Sequence, residues 1–173
     1  MFSIFSKKKG PTVTDLVWIH TADCRAAIGT WLNNNPQGHV LTWFDEEVKV
    51  IKAAVPAHAD CVMQAQQATK ADIGQQPVLF AGHYPLRETE IEVGEQLELS
   101  KMLVYAALDA PLFLQFGGQK IIDLMRQMGM KEHESVENGL ITSAIQKAQD
   151  KLKDKAGQEI TATSETEWLR LNL

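Results

Sequence analysis

The chain has 173 residues, 45% of them apolar and 23% charged, which suits one globular domain burying about 70% of its unfolded surface. A net charge of -5 excludes an extended nucleic-acid surface, because neutralising phosphates takes a surplus of Lys and Arg. Two cysteines without a CxxC pair exclude a disulfide framework and point to a reducing cytoplasm, and no apolar run is long enough to span a bilayer.

The chain opens on "MFSIFSKKKG", with its lysines after its apolar residues. A secretory signal has the opposite order, so no secretion is expected. Residues 1–12 read as a flexible tail. Phe2, Ile4, Phe5 and Lys7 to Lys9 would give it weak contact with an anionic membrane, about 1 kcal/mol for each lysine near the surface.

"DLVWIH" (Asp15 to His20) then reads as a strand, followed by a helix that Thr21 can cap. Cys24, Ala27, Ile28, Trp31 and Leu32 share one face of that helix. Asn33 to Gly38 is turn chemistry, and His39 to Phe44 is a second strand. Asp45 can cap the next helix, whose apolar face is Val48, Ile51 and Val55. "ADCVMQA" is a weak strand and "PVLFAG" a stronger one. "RETEIEVGEQLEL" is helical in pattern despite Gly94. "MLVYAAL" is apolar throughout, as a buried parallel strand is. Two helices end this part, one around Ile121, Leu124, Met125 and Met128, the other around Leu140, Ile141, Ala144, Ile145, Ala148 and Leu152. Strands alternating with helices predict an α/β fold with a mostly parallel sheet of about five strands. Residues 13–156 form its domain. Residues 157–173 form a C-terminal segment with a short helix capped by Ser164, with Glu167 at capping-box spacing; its Trp168, Leu169 and Leu173 are expected to pack on the domain or on a partner.

Four features invite a chemical reading. Gly117-Gly118-Gln119-Lys120 suggests a phosphate loop, but Lys120 is followed by Ile121 instead of Ser or Thr, so the pair reads as a bend between helical segments. His20, Cys24, His58 and Cys61 would make a zinc site if the fold gathered them, but Cys24 sits on the apolar stripe of its helix and no tight ligand spacing exists. No GxSxG elbow is present, and the acids fall mostly on helix surfaces, so no catalytic residue is assigned. His83 follows a predicted strand end, where α/β folds place ligands, and reads as a loop histidine touching solvent. His83, Tyr84, Arg87 and Lys101 are the candidate binding surface. No cofactor and no metal is expected.

The run "FGGQKIIDLMRQMGMKEHESVENGLITSAIQKAQDKL" resembles SecA, the ATPase motor of bacterial preprotein export, where the second motor domain leads into the long scaffold helix. Phe116, Gly117, Ile121, Leu124, Met125, Gly129, Met130, Glu137, Thr142, Ala144, Ile145, Ala148 and Gln149 fit the family pattern without a gap. The stretches from Asp15 to Ala53 and from Val78 to Glu92 resemble the entrance to that motor domain and its later strand and helix. The resemblance implies a shortened, degenerate motor domain with a RecA-like, Rossmann-like three-layer fold. It also implies a cytoplasmic setting, peripheral at the inner face of the membrane, and a protein partner such as SecA or another export component. The departures imply loss of the motor. Thr89, Glu90, Glu98 and Leu99 stand where the family carries arginines and glycine, and no Walker A loop is found. A non-catalytic binding or regulatory protein is the expected function. The alternative is a repurposed nucleotide-binding module or small enzyme with its site near Gly82 and His83.

Overall fold

A computed structural model describes residues 10–173. Five strands, β1 (Thr12–Trp18), β2 (His39–Thr42), β3 (Val62–Gln64), β4 (Val78–Ala81) and β5 (Lys101–Ala107), form one sheet in the order β1-β5-β4-β2-β3. Every strand pairing in it is parallel. The helices are α1 (Thr21–Asn34), α2 (Asp45–Ala54), α3 (Lys70–Ile73), α4 (Arg87–Gln96), α5 (Pro111–Gln115), α6 (Gly118–Gln127), α7 (Gly139–Lys155) and α8 (Glu165–Asn172). This is the α/β arrangement with a parallel sheet that the alternation of elements predicts, in the three-layer form that the resemblance implies.

Strand side chains alternate between faces, so each strand feeds two cores. Val40, Val62 and Leu79 pack against Ile28 and Leu32 of α1 and Ile51 of α2. The neighbouring positions Leu41, Phe80, Met102 and Val104 face the other way, toward Val93 of α4, Leu152 of α7 and Trp168 of α8. α4 runs unbroken through Gly94, because a Cβ there would stand 2.6 Å from Pro11 and 2.9 Å from Met102. The missing side chain lets the helix lie close on the sheet's rim, which outweighs the cost of glycine in a helix.

Several local expectations shift by a residue. Thr21 is the first residue of α1, not its cap; its N–H and its hydroxyl both donate to Asp109, at 2.8 and 2.6 Å. Asp45 likewise begins α2 without capping it, the cap position being Phe44. Ser164 does cap α8, its hydroxyl accepting from the Glu167 N–H at 3.2 Å. The Glu167 carboxylate reaches one residue further back, to the N–H of Thr163 at 2.8 Å. The helices around Ile121 and Leu140 form as expected, but Leu124, Met128 and Leu140 are 53%, 73% and 80% exposed and face outward instead of into the core.

Gly117 and Gly118 make the turn between α5 and α6. Gly117 has φ of +85°, a left-handed value that costs any L side chain. Gly118 is buried, and a Cβ there would meet the carbonyl oxygens of Leu108 and Phe113 at 2.6 and 2.8 Å. The pair is therefore a packed bend, with its backbone pressed on other backbone and no opening for a phosphate.

Candidate functional site

The edge strand β1 carries one polar side chain among its inward positions. Asp15 is in register with Val104, which is in register with Phe80 and then Leu41, so it ends an apolar row across one sheet face. It is 1% exposed. A carboxylate there needs partners, since burying it alone in apolar surroundings is prohibitive.

His83 supplies one. β4 ends at Ala81, and Gly82 is held on both sides: its N–H donates to the Tyr105 carbonyl at 2.8 Å, and its own carbonyl accepts from the Trp43 indole at 2.9 Å. This anchors the following residue over the sheet. The His83 ring lies 2.9 Å from Asp15 Oδ1 through Nε2 and 2.9 Å from Glu90 Oε1 through Nδ1. Glu90, from α4, also accepts from the Tyr84 N–H at 2.7 Å. All three side chains are sealed from solvent.

Burial pulls the His83 pKa down, but the charges and hydrogen bonds of Glu90 and Asp15 overcome this and push it up to about 10. At neutral pH the ring is an imidazolium donating both N–H groups. Burial raises the Asp15 pKa, and the hydrogen bond and charge of His83 more than reverse it, leaving it below the usual carboxylate value. The cluster is a buried imidazolium ring bridging the carboxyl groups of Asp15 and Glu90. Both Glu90 hydrogen bonds fall on Oε1. Asp15 Oδ2 has no partner within 3.5 Å among the described residues, and the Thr142 side chain beside that carboxyl group also favours its ionised form.

This triad forms the floor of a cleft of about 350 Å³ between α4 and α7. Arg87 stands on its rim and Thr142, Ile145 and Gln146 on the α7 wall. Gln149 closes the inner end, its amide donating to the Tyr84 carbonyl at 2.8 Å.

The four residues expected to form a surface therefore separate. His83 and Tyr84 are 6% and 7% exposed, so His83 is not a loop histidine in contact with solvent. Its two carboxylate partners draw it inside. Tyr84 is covered by Trp168 and Phe44, and its hydroxyl donates to Glu159. Arg87 lines the cleft, and Lys101 is exposed at the start of β5, outside it. Asp15 and Glu90 were missed as site residues. The available signal was the inward alternation Val13, Asp15, Val17, which puts a lone acid on a buried face.

A second acidic locus lies at the carboxyl end of the sheet. Glu47 accepts from the Thr42 hydroxyl at 2.7 Å, and burial raises its pKa. Glu165 at the start of α8 is buried, and that burial with the nearby charge of half-buried Glu47 pushes its pKa up to about 8. The Glu46 N–H donates to the Thr163 carbonyl at 3.1 Å, which docks the C-terminal segment on this end of the sheet.

The four zinc candidates have other partners. His20 contacts Asp109 at 3.1 Å and Glu132 at 2.8 Å. Cys24 is buried against Trp18 and Ala107, which raises its thiol pKa to about 12. His58 pairs with Asn33, nine residues along α1 from Cys24 and so about 13 Å away at 1.5 Å rise per residue. Among the described residues no group of three or more His, Cys, Asp or Glu side chains is placed to hold a metal ion, and no helix is long and apolar enough to cross a membrane. The membrane-contact residues Phe2 to Lys9 lie outside the described residues.

No protein-family model matches the chain. Protein translocase subunit SecA from Maridesulfovibrio salexigens is 38% identical over 60 residues, which is 35% of this chain and 7% of that protein. The SecA subunits of Blochmanniella floridana and Acidithiobacillus ferrooxidans are 37% and 36% identical over 62 residues, again 36% of this chain and 7% of theirs. The chain thus contains a SecA-related segment, and that segment spans about 7% of the length of these relatives.

Proposed function

We propose that the chain is a non-catalytic binding module, a degenerate descendant of a SecA-type motor domain that works in protein export through a protein partner. The observation that carries the reading is the filling of the sheet's carboxyl end. Open α/β sheets take nucleotides there, and phosphoryl chemistry depends on positive charge set against the phosphates. In this chain the same end holds Glu47 and Glu165, under the chain's own α8. The docked helix excludes a polyphosphate, and the acids beneath it supply none of the positive charge that would hold one. The SecA-related segment supports the link to export, and a cytoplasmic setting, peripheral at the inner membrane face, follows from that link.

With His83 and Tyr84 inside, the partner meets a different face. Leu124 of α6, Met128 just after it and Leu140 of α7 are large apolar side chains left exposed, the kind of residue that a docking surface uses. Native co-purification tests the reading: SecA or another export component is expected with the wild type and is lost with Met128→Ser/Leu140→Ser. A magnesium-ATP thermal-shift titration tests the other side. A nucleotide saturated at a hundred times its dissociation constant stabilises a fold by about 2.7 kcal/mol, so a clear rise in melting temperature would overturn the non-nucleotide reading.

A further inference from the structure

We infer that the groove between α6 and α7 receives an acidic amphipathic helix of the protein partner, which seats one large apolar side chain in the pocket at the groove's floor. The inference rests on the partner-binding reading and names the chemistry of that partner.

The pocket supplies the anchor point. It measures about 180 Å³, below the roughly 300–1,000 Å³ of sites that take whole small molecules, and suits a single aromatic or branched aliphatic side chain. Buried Leu108, Leu112 and Ile145 line it with Ile121 of α6 and with Leu140 and Ala144 of α7. Leu140 and Ala144 are exposed, so the pocket opens to solvent. All its lining residues are apolar, and a polar group placed there would lose its water without gaining a side-chain partner. At about 100° per residue, Leu124 and Met128 follow Ile121 along one side of the α6 wall, within about 60° of it. A helix fits between two such walls, because its own anchors recur every three or four residues and its backbone bonds are already made.

The rim gives the sign of the partner's charge. Lys147 and Lys151 come seven and eleven residues after Leu140, which puts them within about 20° of it around α7. Both are exposed, and neither forms a salt bridge among the described residues. Lys120, one turn before Leu124 on α6, is exposed and unpaired in the same way. Asp123 lies about 160° around α6 from Ile121, and Asp150 about 80° around α7 from Leu140, so these acids do not neutralise the rim. Asp154 belongs to the last turn of α7, beyond the pocket. A basic rim around an apolar anchor point is complementary to an acidic partner.

The same rim weighs against other occupants. A second copy joined here by a two-fold axis would set lysines against lysines. The chain's own N-terminal residues carry Lys7 to Lys9, again of the same sign. A lipid surface would leave the hollow at the centre unfilled.

The test uses the full chain and stapled helical peptides of about 15 residues, read by fluorescence anisotropy. The probe carries phenylalanine and leucine on one face and glutamate on its flanks. One control has lysine for every glutamate, and another has alanine for phenylalanine. The glutamate probe should bind with a dissociation constant of about 0.1 mM or tighter, and each control about tenfold more weakly or worse. Lys147→Glu/Lys151→Glu, at exposed positions, should reverse the charge preference. Ala144→Leu, also at an exposed position, fills the pocket and should abolish the advantage of phenylalanine over alanine. Equal binding of the glutamate and lysine probes, or binding of neither, would overturn the inference. Binding to phosphatidylglycerol vesicles that Lys147→Glu/Lys151→Glu abolishes, with no probe bound, would overturn it in favour of a lipid surface. These outcomes separate from those of co-purification. Probe binding by a wild type that retains no export component would uphold this inference and remove the export reading. An export component retained without any charge preference among the probes would keep the partner and overturn its acidic character.

Discussion

His83 donates to Asp15 across 68 residues of sequence at 2.9 Å, with both side chains withdrawn from solvent. This bond joins the end of β4 to the middle of an edge strand, with β5 between them. It also sets the pH window of the fold. His83 has its folded pKa raised, so its contribution is complete below the free value near 6.5 and is lost as pH rises through about 10. Asp15 has its folded pKa lowered, so its contribution is present above 3.8 and is lost as pH falls below that value. In urea melts across pH, the contribution of this cluster, read as the difference between wild type and His83→Leu, should be greatest between about 3.8 and 6.5 and fall on either side. His83→Leu leaves two buried carboxylates unpaired and should cost about 3–5 kcal/mol at pH 7. A loss under 1 kcal/mol would mean that the cluster is open to water.

Glu165 slopes in the same direction as His83, over a lower pH range. Its folded pKa of about 8 lies above its free value of 4.5, so the folded state holds a proton that the unfolded state has released. Stability from this group therefore falls as pH rises from 4.5 through 8. Glu165→Gln should raise the melting temperature at pH 8 to 9, by about 2–4 °C for each kcal/mol regained, and change it little at pH 5. Equal effects at both pH values would exclude burial of the charge as the cause.

The bend at Gly117-Gly118 separates two kinds of glycine. Gly118→Ala puts a methyl against two carbonyl oxygens at 2.6 and 2.8 Å and should cost about 1–3 kcal/mol. Gly139→Ala, with nothing within 4 Å, should be neutral or slightly stabilising. Thermal denaturation of the two variants makes the comparison. Similar melting temperatures would mean that α5 and α6 readjust freely about the bend.

The C-terminal segment is held by more than its own helix. The Trp168 indole donates to Glu159 at 2.6 Å, and Asn172 and Ile160 exchange hydrogen bonds at 2.7 and 3.0 Å. Trp168 is fully buried against Tyr84, whereas Leu173 stays 48% exposed. Trp168→Ala should cost about 3–5 kcal/mol, as large aromatic truncations in cores do. Truncation after Gly157 should lower the melting temperature at least as far, because it also uncovers Tyr84 and Phe44. Leu173→Ala should have little effect. An unchanged melting temperature on truncation would make the segment a passive tail.

The alternation of strand and helix, the bend at Gly117-Gly118 and the Ser164 cap are short-range facts, and the sequence alone determined them. Periodicity, turn chemistry and capping act over a few residues, so they are visible without a fold. The same reasoning missed by one residue at Thr21 and Asp45, where the first residue of a helix and its cap look alike in sequence. The outward turn of Leu124, Met128 and Leu140 was not legible, because helical spacing marks a stripe but not what lies opposite it. The Asp15-His83-Glu90 cluster was out of reach for a related reason. Sequence showed three polar residues in three elements; only the parallel order β1-β5-β4 and the lie of α4 decided that a solvent-type histidine would be drawn inside by two carboxylates. Tertiary structure also decided that Glu165 and Trp168 would lie on the sheet's carboxyl end. Charge pairing and burial are set by neighbours in space, and those neighbours are brought together by chain crossings that local sequence does not encode.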